Sequence, residues 1–358
     1  MSPDRSTHRS PDRSPAVLAV DGGNSKTDAV VVDRAGRVLG VARWVGPSNV
    51  GRGDGAMRHL EEAVRSAAAD ARIRSGSVPI AQVGVYCLAG ADFPIDERRI
   101  GRALERRGWT SRTVVRNDTF AVLRAGSERG WGVGVVCGAG MNCLGVAPDG
   151  RMVRFPALGP LSGDFAPGGE WVGLTALGSA IRARDGRGPK TALEQAVAQH
   201  FGMARPEAVM NAMYRGRIAL DRLTELPPVV FDVAMSGDAV ARAILDQVAD
   251  EVVAMATAAI RRLRLVGEDV DVVLGGGMFH AQDPAFVGRI ERGVHDVAPR
   301  ARVAGLDAPP VLGAALIGLD EIDAGDGAAS MMRASLDRET IGETRRRLVP
   351  SGRRSPGG

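Results

Sequence analysis

Asp21-Gly22-Gly23-Asn24-Ser25-Lys26-Thr27-Asp28 sits between two apolar runs in AVLAVDGGNSKTDAVVVDRAGRVLGVARW, residues 16–44. An apolar run, a Gly-Gly turn, a second run, an Asp-Arg-Ala-Gly turn and a third run predict three antiparallel strands. Glycines let a backbone approach a ligand closely, and successive N–H groups in such a turn form a concavity that suits an anion. Lys26 adds a cation, and Ser25 and Thr27 add hydroxyl donors. An ordinary hairpin turn needs a glycine but not this whole set, so the stretch reads as a phosphate site built from Gly22, Gly23, Asn24, Ser25, Lys26 and Thr27. Asp21, ending the first run, is where a Mg²⁺ shell would be anchored through water. The turn is not a Walker loop, because GxxxxGK[ST] is absent. Nor is it a dinucleotide fingerprint: the nearest candidate, Gly138 to Cys143, lacks the last glycine and opens a strand rather than a helix.

Outward from this stretch, Asp54 to Arg74 shows helical spacing, 83–90 (VGVYCLAG) is a buried strand, Asp96 to Arg107 a short helix, and 113–118 (TVVRND) a strand ending on Asp118. The opening pattern then returns in WGVGVVCGAGMNCLGVAPDGRMVRF, residues 131–155. Asp21 to Asn24 matches Cys137 to Gly140 in place, which predicts an internal duplication; two coincidental β-meanders are the alternative. The second half is helix-rich: 171–184, 191–199, 206–213 and a long helix capped by Ser236 or Asp238. Strand 269–279 (DVDVVLGGGMF) runs into three glycines, and Pro309-Pro310 starts a final apolar helix, 311–319.

With 358 residues, 44% hydrophobic and 25% charged, the chain is long enough for two domains and is neither disordered nor fibrous as a whole. Its net charge of +4 sits in the ends. Three Arg against two Asp in 1–14, and five Arg against one Glu in 341–358, leave residues 15–340 at −1. Nucleic acid is therefore not an expected partner, and both Ser/Pro/Gly/Arg-rich ends read as disordered. Cys87, Cys137 and Cys143 lie in strand-like contexts without a CxxC, so reduced, buried thiols and no structural zinc are expected. No apolar signal segment precedes 15, and the uncharged stretch 130–148 holds six glycines, unlike a membrane helix. These features predict a soluble cytoplasmic protein without a membrane partner.

Asp21 to Asp28, Asn117-Asp118, Gly138 to Asn142 and Gly275 to Gly277 resemble, in that order, the phosphate, catalytic, second phosphate and adenosine motifs of the actin–hexokinase–Hsp70 ATPase superfamily. Within it the chain resembles the BadF/BadG/BcrA/BcrD group over roughly 16–320, most closely its N-acetylglucosamine kinases. The resemblance implies an α/β fold of two duplicated actin-like (ribonuclease H-like) lobes, each a mixed sheet with helices, with ATP and substrate in the cleft between them. The boundaries expected are a tail 1–14, lobes 15–119 and 120–310, a final helix 311–325 packing back on the lobes, and a largely disordered basic tail 326–358.

The resemblance also implies roles. Asp118 would be the catalytic base, and Gly138, Ala139, Gly140, Gly275, Gly276 and Gly277 would hold ATP. Asn49, Gly90, Asp92, Asn117, Asp118, Asn142 and Asp164 would line the sugar site, although Asp92 also suits a plain turn and Asp118 a helix N-cap. The activity implied is ATP- and Mg²⁺-dependent phosphorylation of an amino sugar, N-acetylglucosamine to its 6-phosphate or a close relative. A weakly active or non-catalytic ATP/sugar-binding regulator is the alternative, followed by a dehydratase-activating ATPase, which needs cysteines at a dimer interface. A homodimer stays open. Two departures bear on substrate: Gly138-Ala139-Gly140-Met141-Asn142 replaces Gly-Thr-Gly-Ser-Asn, and Gly163 to Glu170 replaces Gly-Asp-Glu-Gly-Ser-Gly with one residue more.

Overall fold

The structure is a computed structural model that describes residues 14–48, 55–74 and 76–337. Its described chain divides into two units, one running to Ala125 and resuming at Asp307, the other Gly126–Leu306. The first expected boundary fell earlier, at 119/120.

In the first unit the apolar run Val17–Val20 is wholly excluded from water, as a central strand covered on both faces requires. The elements follow as β1 (Pro15–Gly22), β2 (Lys26–Asp33), β3 (Val38–Val45), α1 (Gly55–Asp70), β4 (Ala81–Leu88), α2 (Pro94–Glu105), β5 (Thr110–Arg116) and α3 (Asp118–Gly126). The strand order is β3-β2-β1-β4-β5. The first three strands form an antiparallel meander, whereas β1, β4 and β5 run parallel. Helix α1 buries Leu60, Ala63, Val64 and Ala67, the periodic face read from the sequence.

The second unit repeats this order. It contains β6 (Gly132–Cys137), β7 (Met141–Val146), β8 (Met152–Arg154), α4 (Gly169–Asp185), α5 (Leu193–His200), α6 (Pro206–Tyr214), α7 (Pro227–Met235), α8 (Ala239–Leu263), β9 (Asp271–Gly275), α9 (Pro284–His295) and β10 (Arg302–Gly305). Its sheet, β10-β9-β6-β7-β8, has the same mixture of antiparallel and parallel pairs. The duplication is thus a shared topology, with five helices inserted in the second copy between β8 and β9 where the first has only α1. Asp238 caps α8, accepting from the Val240 and Ala241 N–H groups; Ser236 does not. Helix α7, absent from the sequence reading, opens on Pro227-Pro228, where proline is well suited to a first helical turn.

The chain then returns to the first unit with α10 (Pro310–Asp320), which packs on β1 and β4, and α11 (Asp326–Ser335). The expected disordered tail from 326 is corrected here. Residues 326–335 are helical because Ala328 and Met332 bury their side chains, and Arg333 donates to the Ala125 and Arg124 carbonyls at 2.6 and 3.0 Å. The tails proper, 1–13 and 338–358, lie outside the described residues. Among the described residues, no helix is long and apolar enough to cross a membrane.

Gly313 sets how closely α10 seats on α3: a Cβ there would lie 1.8 Å from the Ala121 carbonyl oxygen. Gly313→Ala should therefore cost about 1–3 kcal/mol through forced displacement of backbone. Gly178→Ala, inside α4 with open space around its Cβ, should instead gain about 0.5–1 kcal/mol from helix propensity. Denaturant unfolding of the two variants checks the opposite signs.

Candidate active site

Because β1, β4 and β5 are parallel, their carboxyl ends emerge on one edge of the first sheet, where open α/β sheets bind ligands. Register places Asp21 beside Cys87 and Cys87 beside Arg116. The residues after these positions make up the candidate site: the Gly22–Lys26 turn after β1, Gly90 to Asp92 after β4, and Asn117-Asp118 after β5.

The β1–β2 turn is held by its carbonyls. Ala89 N–H donates to Gly22, Ser48 N–H to Gly23 and Gly46 N–H to Ser25, all at 2.8–3.0 Å. Lys26 does not stand alone. Its Nζ lies 2.5 Å from Asp28 Oδ2 and 4.0 Å from Asp21 Oδ2. Arg43, from β3, grips the same Asp28 carboxylate through Nε at 2.5 Å and Nη2 at 2.7 Å. Burial works to raise the Asp28 carboxyl, but the Arg43 hydrogen bond and the Lys26 and Arg43 charges overcome it and hold the group below its ordinary value. Thr27 is one residue out of phase with Lys26 and Asp28, so its side chain occupies the opposite face of β2; its hydroxyl is buried and has no hydrogen-bond partner among the described residues.

Asp118 is the first residue of α3. The capping role considered for it belongs to Asn117, whose Oδ1 accepts from Thr119 N–H at 3.0 Å and from the Thr119 hydroxyl at 2.6 Å. The Asn117 amide then donates to Asp92 Oδ1 at 2.9 Å, so a buried Thr119–Asn117 pair orients Asp92. Burial pushes the Asp118 carboxyl up to about 7, and the Asp21 and Asp92 charges add to it. Burial likewise pushes Asp21 up to about 6, against the opposing charge of Lys26. A base poised near neutrality is what proton abstraction needs.

Asp21 also suits the magnesium role. Its carboxylate is buried, and burial raises its pKa against the opposing charge of Lys26, 4.0 Å away. Among the described residues, no group of three or more His, Cys, Asp and Glu side chains could cage a metal. One carboxylate with waters and phosphate oxygens is the usual Mg²⁺ arrangement in nucleotide sites.

The second unit brings its own motifs together. Gly138 N–H donates to the Gly140 carbonyl, while the Gly138 and Ala139 carbonyls accept from the Gly169 and Glu170 N–H groups opening α4, at 2.8–2.9 Å. Gly168, at φ 99°, allows this docking: a Cβ there would lie 2.6 Å from the Gly140 oxygen. Gly276, at φ 105°, rests on Cys137, with only 2.4 Å between a notional Cβ and the Cys137 oxygen. The 138–140 and 275–277 glycines are therefore neighbours. Asn142 accepts from Cys143 N–H at 2.7 Å, and buried Asp164 accepts from the Ser162 hydroxyl at 2.6 Å. Beside Asp164, burial raises the Glu251 carboxyl on α8, which also accepts from the Phe165 N–H. Asn49 lies outside the described residues.

Sequence reading missed Arg43 and the Gly168-Gly169 pair. Counting back from the Asp33–Gly36 turn places Arg43 opposite Asp28 once the β2–β3 bulge at Val31/Val32 is known. The glycine pair heading a helix was itself a sign of close backbone approach.

Two copies of one mixed-sheet lobe, with glycine turns at strand ends and a near-neutral carboxyl after β5, define an actin-like ATPase fold. The model of the BadF/BadG/BcrA/BcrD ATPase family matches residues 18–318, and the chain belongs to that family. It is 25% identical over 311 residues to the N-acetylmuramic acid/N-acetylglucosamine kinase of Clostridium acetobutylicum, covering 86% of this chain and 99% of that one. It is 26% identical over 315 residues to the N-acetyl-D-glucosamine kinase of Dictyostelium discoideum, covering 85% and 97%. A crystal structure from Chromobacterium violaceum, described as a candidate N-acetylglucosamine kinase, shares the fold at TM-score 0.67 and 24% identity, over 85% of this chain and 99% of that one.

The raised Asp118 pKa makes a stability prediction. The folded carboxyl holds its proton more tightly than the unfolded one, so this contribution is present at acid pH and lost as pH climbs from about 4 to about 7. Asp118→Asn should melt above the wild type at pH 8, with the gap closing toward pH 4. Melting curves across that range check it, and a pH-independent gap would refute the shift.

Proposed function

We propose that the protein is an ATP-dependent amino-sugar kinase acting on N-acetylglucosamine, at its primary hydroxyl, or on a close relative such as N-acetylmuramic acid. The observation that carries this reading is the Asp118 carboxyl at the head of α3, beside Asp92 and the glycine turn of β1–β2 and tuned to about 7. The names of the two curated relatives, which the chain matches nearly end to end, support the substrate class.

In this reading Asp118 Oδ accepts the proton of the sugar hydroxyl as that oxygen bonds to the γ-phosphorus; the bond to the β-phosphate oxygen breaks and ADP leaves. Asp92, held by Asn117, orients sugar hydroxyls. The Gly22–Ser25 turn, with its Gly22, Gly23 and Ser25 carbonyls engaged from Ala89, Ser48 and Gly46 and its Gly23 N–H closing on the Lys26 carbonyl at 3.0 Å, presents its tip to phosphate, and Lys26 offers charge. In the second unit, Gly138–Gly140 and Gly275–Gly277 present bare backbone suited to nucleotide. Bound Mg²⁺, anchored at Asp21 through water, would neutralise phosphate charge.

The dehydratase-activating alternative loses support from the cysteines. Cys87, Cys137 and Cys143 are all buried, in β4, β6 and β7, and burial pushes each thiol above its ordinary value. A thiolate that must ligate iron needs the reverse.

The test is ADP release with Mg²⁺ and ATP across N-acetylglucosamine, glucosamine, N-acetylmannosamine, N-acetylmuramic acid and glucose, with phosphorus NMR to locate the new ester. One N-acetylated sugar should stimulate strongly; ATP binding without stimulation by any sugar would favour the regulator. Asp118→Asn should lower turnover by orders of magnitude while retaining nucleotide, and wild-type kcat/KM should rise through about pH 7. Thr119→Val should raise the sugar KM about tenfold, the worth of a lost buried hydrogen bond, with kcat little changed; Thr119→Ser should recover it.

A further inference from the structure

Asp21 and Asp28 are directly opposite each other across β1–β2, and Asp28 is directly opposite Arg43 across β2–β3. Residues paired in this way share a face, and Lys26, two positions from Asp28, shares it too. Four charged groups therefore form one row beside the glycine turn, two negative and two positive. Two carboxylates set opposite each other repel, so the cations are what make the row tolerable.

The cations are not equivalent. Arg43 engages both oxygens of Asp28, at 2.5 and 2.7 Å, with its side chain 21% exposed against 0% for Asp28. Lys26 reaches only Oδ2 of that carboxylate and is 38% exposed. A planar guanidinium matches a carboxylate by itself, so Lys26 shares a carboxylate that is already balanced. Fold stability does not explain the arrangement, because an apolar cross-strand pair of similar volume is often as stable as a buried ion pair.

We infer that Arg43 is a positioning residue for nucleotide binding: by neutralising Asp28 it keeps the Lys26 charge available to a polyphosphate at the Gly22–Ser25 turn. Without Arg43, Asp28 claims Lys26 entirely, the row carries a net negative charge next to Asp21, and an incoming phosphate is repelled. The inference rests on the kinase reading above and adds to it a residue outside the glycine motif.

The experiment measures dissociation constants for ADP and a non-hydrolysable ATP analogue by titration calorimetry at fixed salt, for the wild type, Arg43→Met, Asp28→Asn and the double variant, each checked for a native circular dichroism spectrum. Arg43→Met should weaken binding roughly ten- to a hundredfold, the size of one unit-charge interaction over about 6–12 Å at an effective dielectric of about 20 near a protein surface. Asp28→Asn/Arg43→Met removes one charge of each sign and should return to within about threefold of the wild type. Asp28→Asn alone should bind more tightly, which keeps the test open if Arg43→Met does not fold. The sugar KM of Arg43→Met at saturating nucleotide should stay at the wild-type value. Unchanged binding in Arg43→Met, no recovery in a folded double variant, or no gain in Asp28→Asn overturns the inference and leaves the kinase reading standing. A wild-type protein that binds no adenine nucleotide overturns both.

Discussion

A carboxylate taken out of water must be matched by positive charge or must keep its proton, and the first unit is organised around that constraint. Asp28 is fully buried and matched, by the two-pronged grip of Arg43 and by Lys26. Asp21 and Asp118 are crowded by the same protein but lack equal compensation, and both carboxyls rise toward neutrality. These three carboxylates of the sheet edge are thus held in two states. The paired one is fixed as an anion. The other two carry raised pKa values, which in the proposed reading suits them to a cation and a proton.

The duplication shows how one topology is turned to different uses. Both units carry a three-strand meander continued by two parallel strands. At equivalent strand ends the first has Asp21 and the second Cys137, whose buried thiol stays protonated. The first turn is backed by N–H groups from Gly46, Ser48 and Ala89, while the second is backed by the opening amides of α4. The second unit therefore presents bare backbone at its strand ends and the first presents charge. The loop before α4 docks on the second turn because Gly168 and Gly169 leave room for the 138–140 carbonyls, and upstream of them Asp164 is tied to Ser162 and Phe165 N–H to Glu251.

Much of this was legible in the amino-acid sequence. The glycine turn between apolar runs, its recurrence at 131–155, the Asn117-Asp118 pair and the cap at Asp238 are local patterns, and local patterns follow from propensity and hydrogen-bonding chemistry over a few residues. Helix α11 was not legible: Asp326 to Ser335 is polar enough to pass for a tail, and it is helical because two side chains and Arg333 find partners far away in the chain. Thr27 was grouped with its neighbours as a donor, although strand alternation alone puts it on the other face.

The sequence by itself determined the alternation of strands and turns, the doubled meander and the residue types at each strand end, because hydrophobic period and glycine conformation act within a short window. Only the tertiary structure decided which charges meet. Arg43 is fifteen residues from Asp28, Asn117 twenty-five from Asp92, and the Asp118 pKa is raised by burial and then by the charge of Asp21, almost a hundred positions earlier. Strand register and burial set those distances, and electrostatic energy depends on distance and dielectric, neither of which is written in the order of the residues.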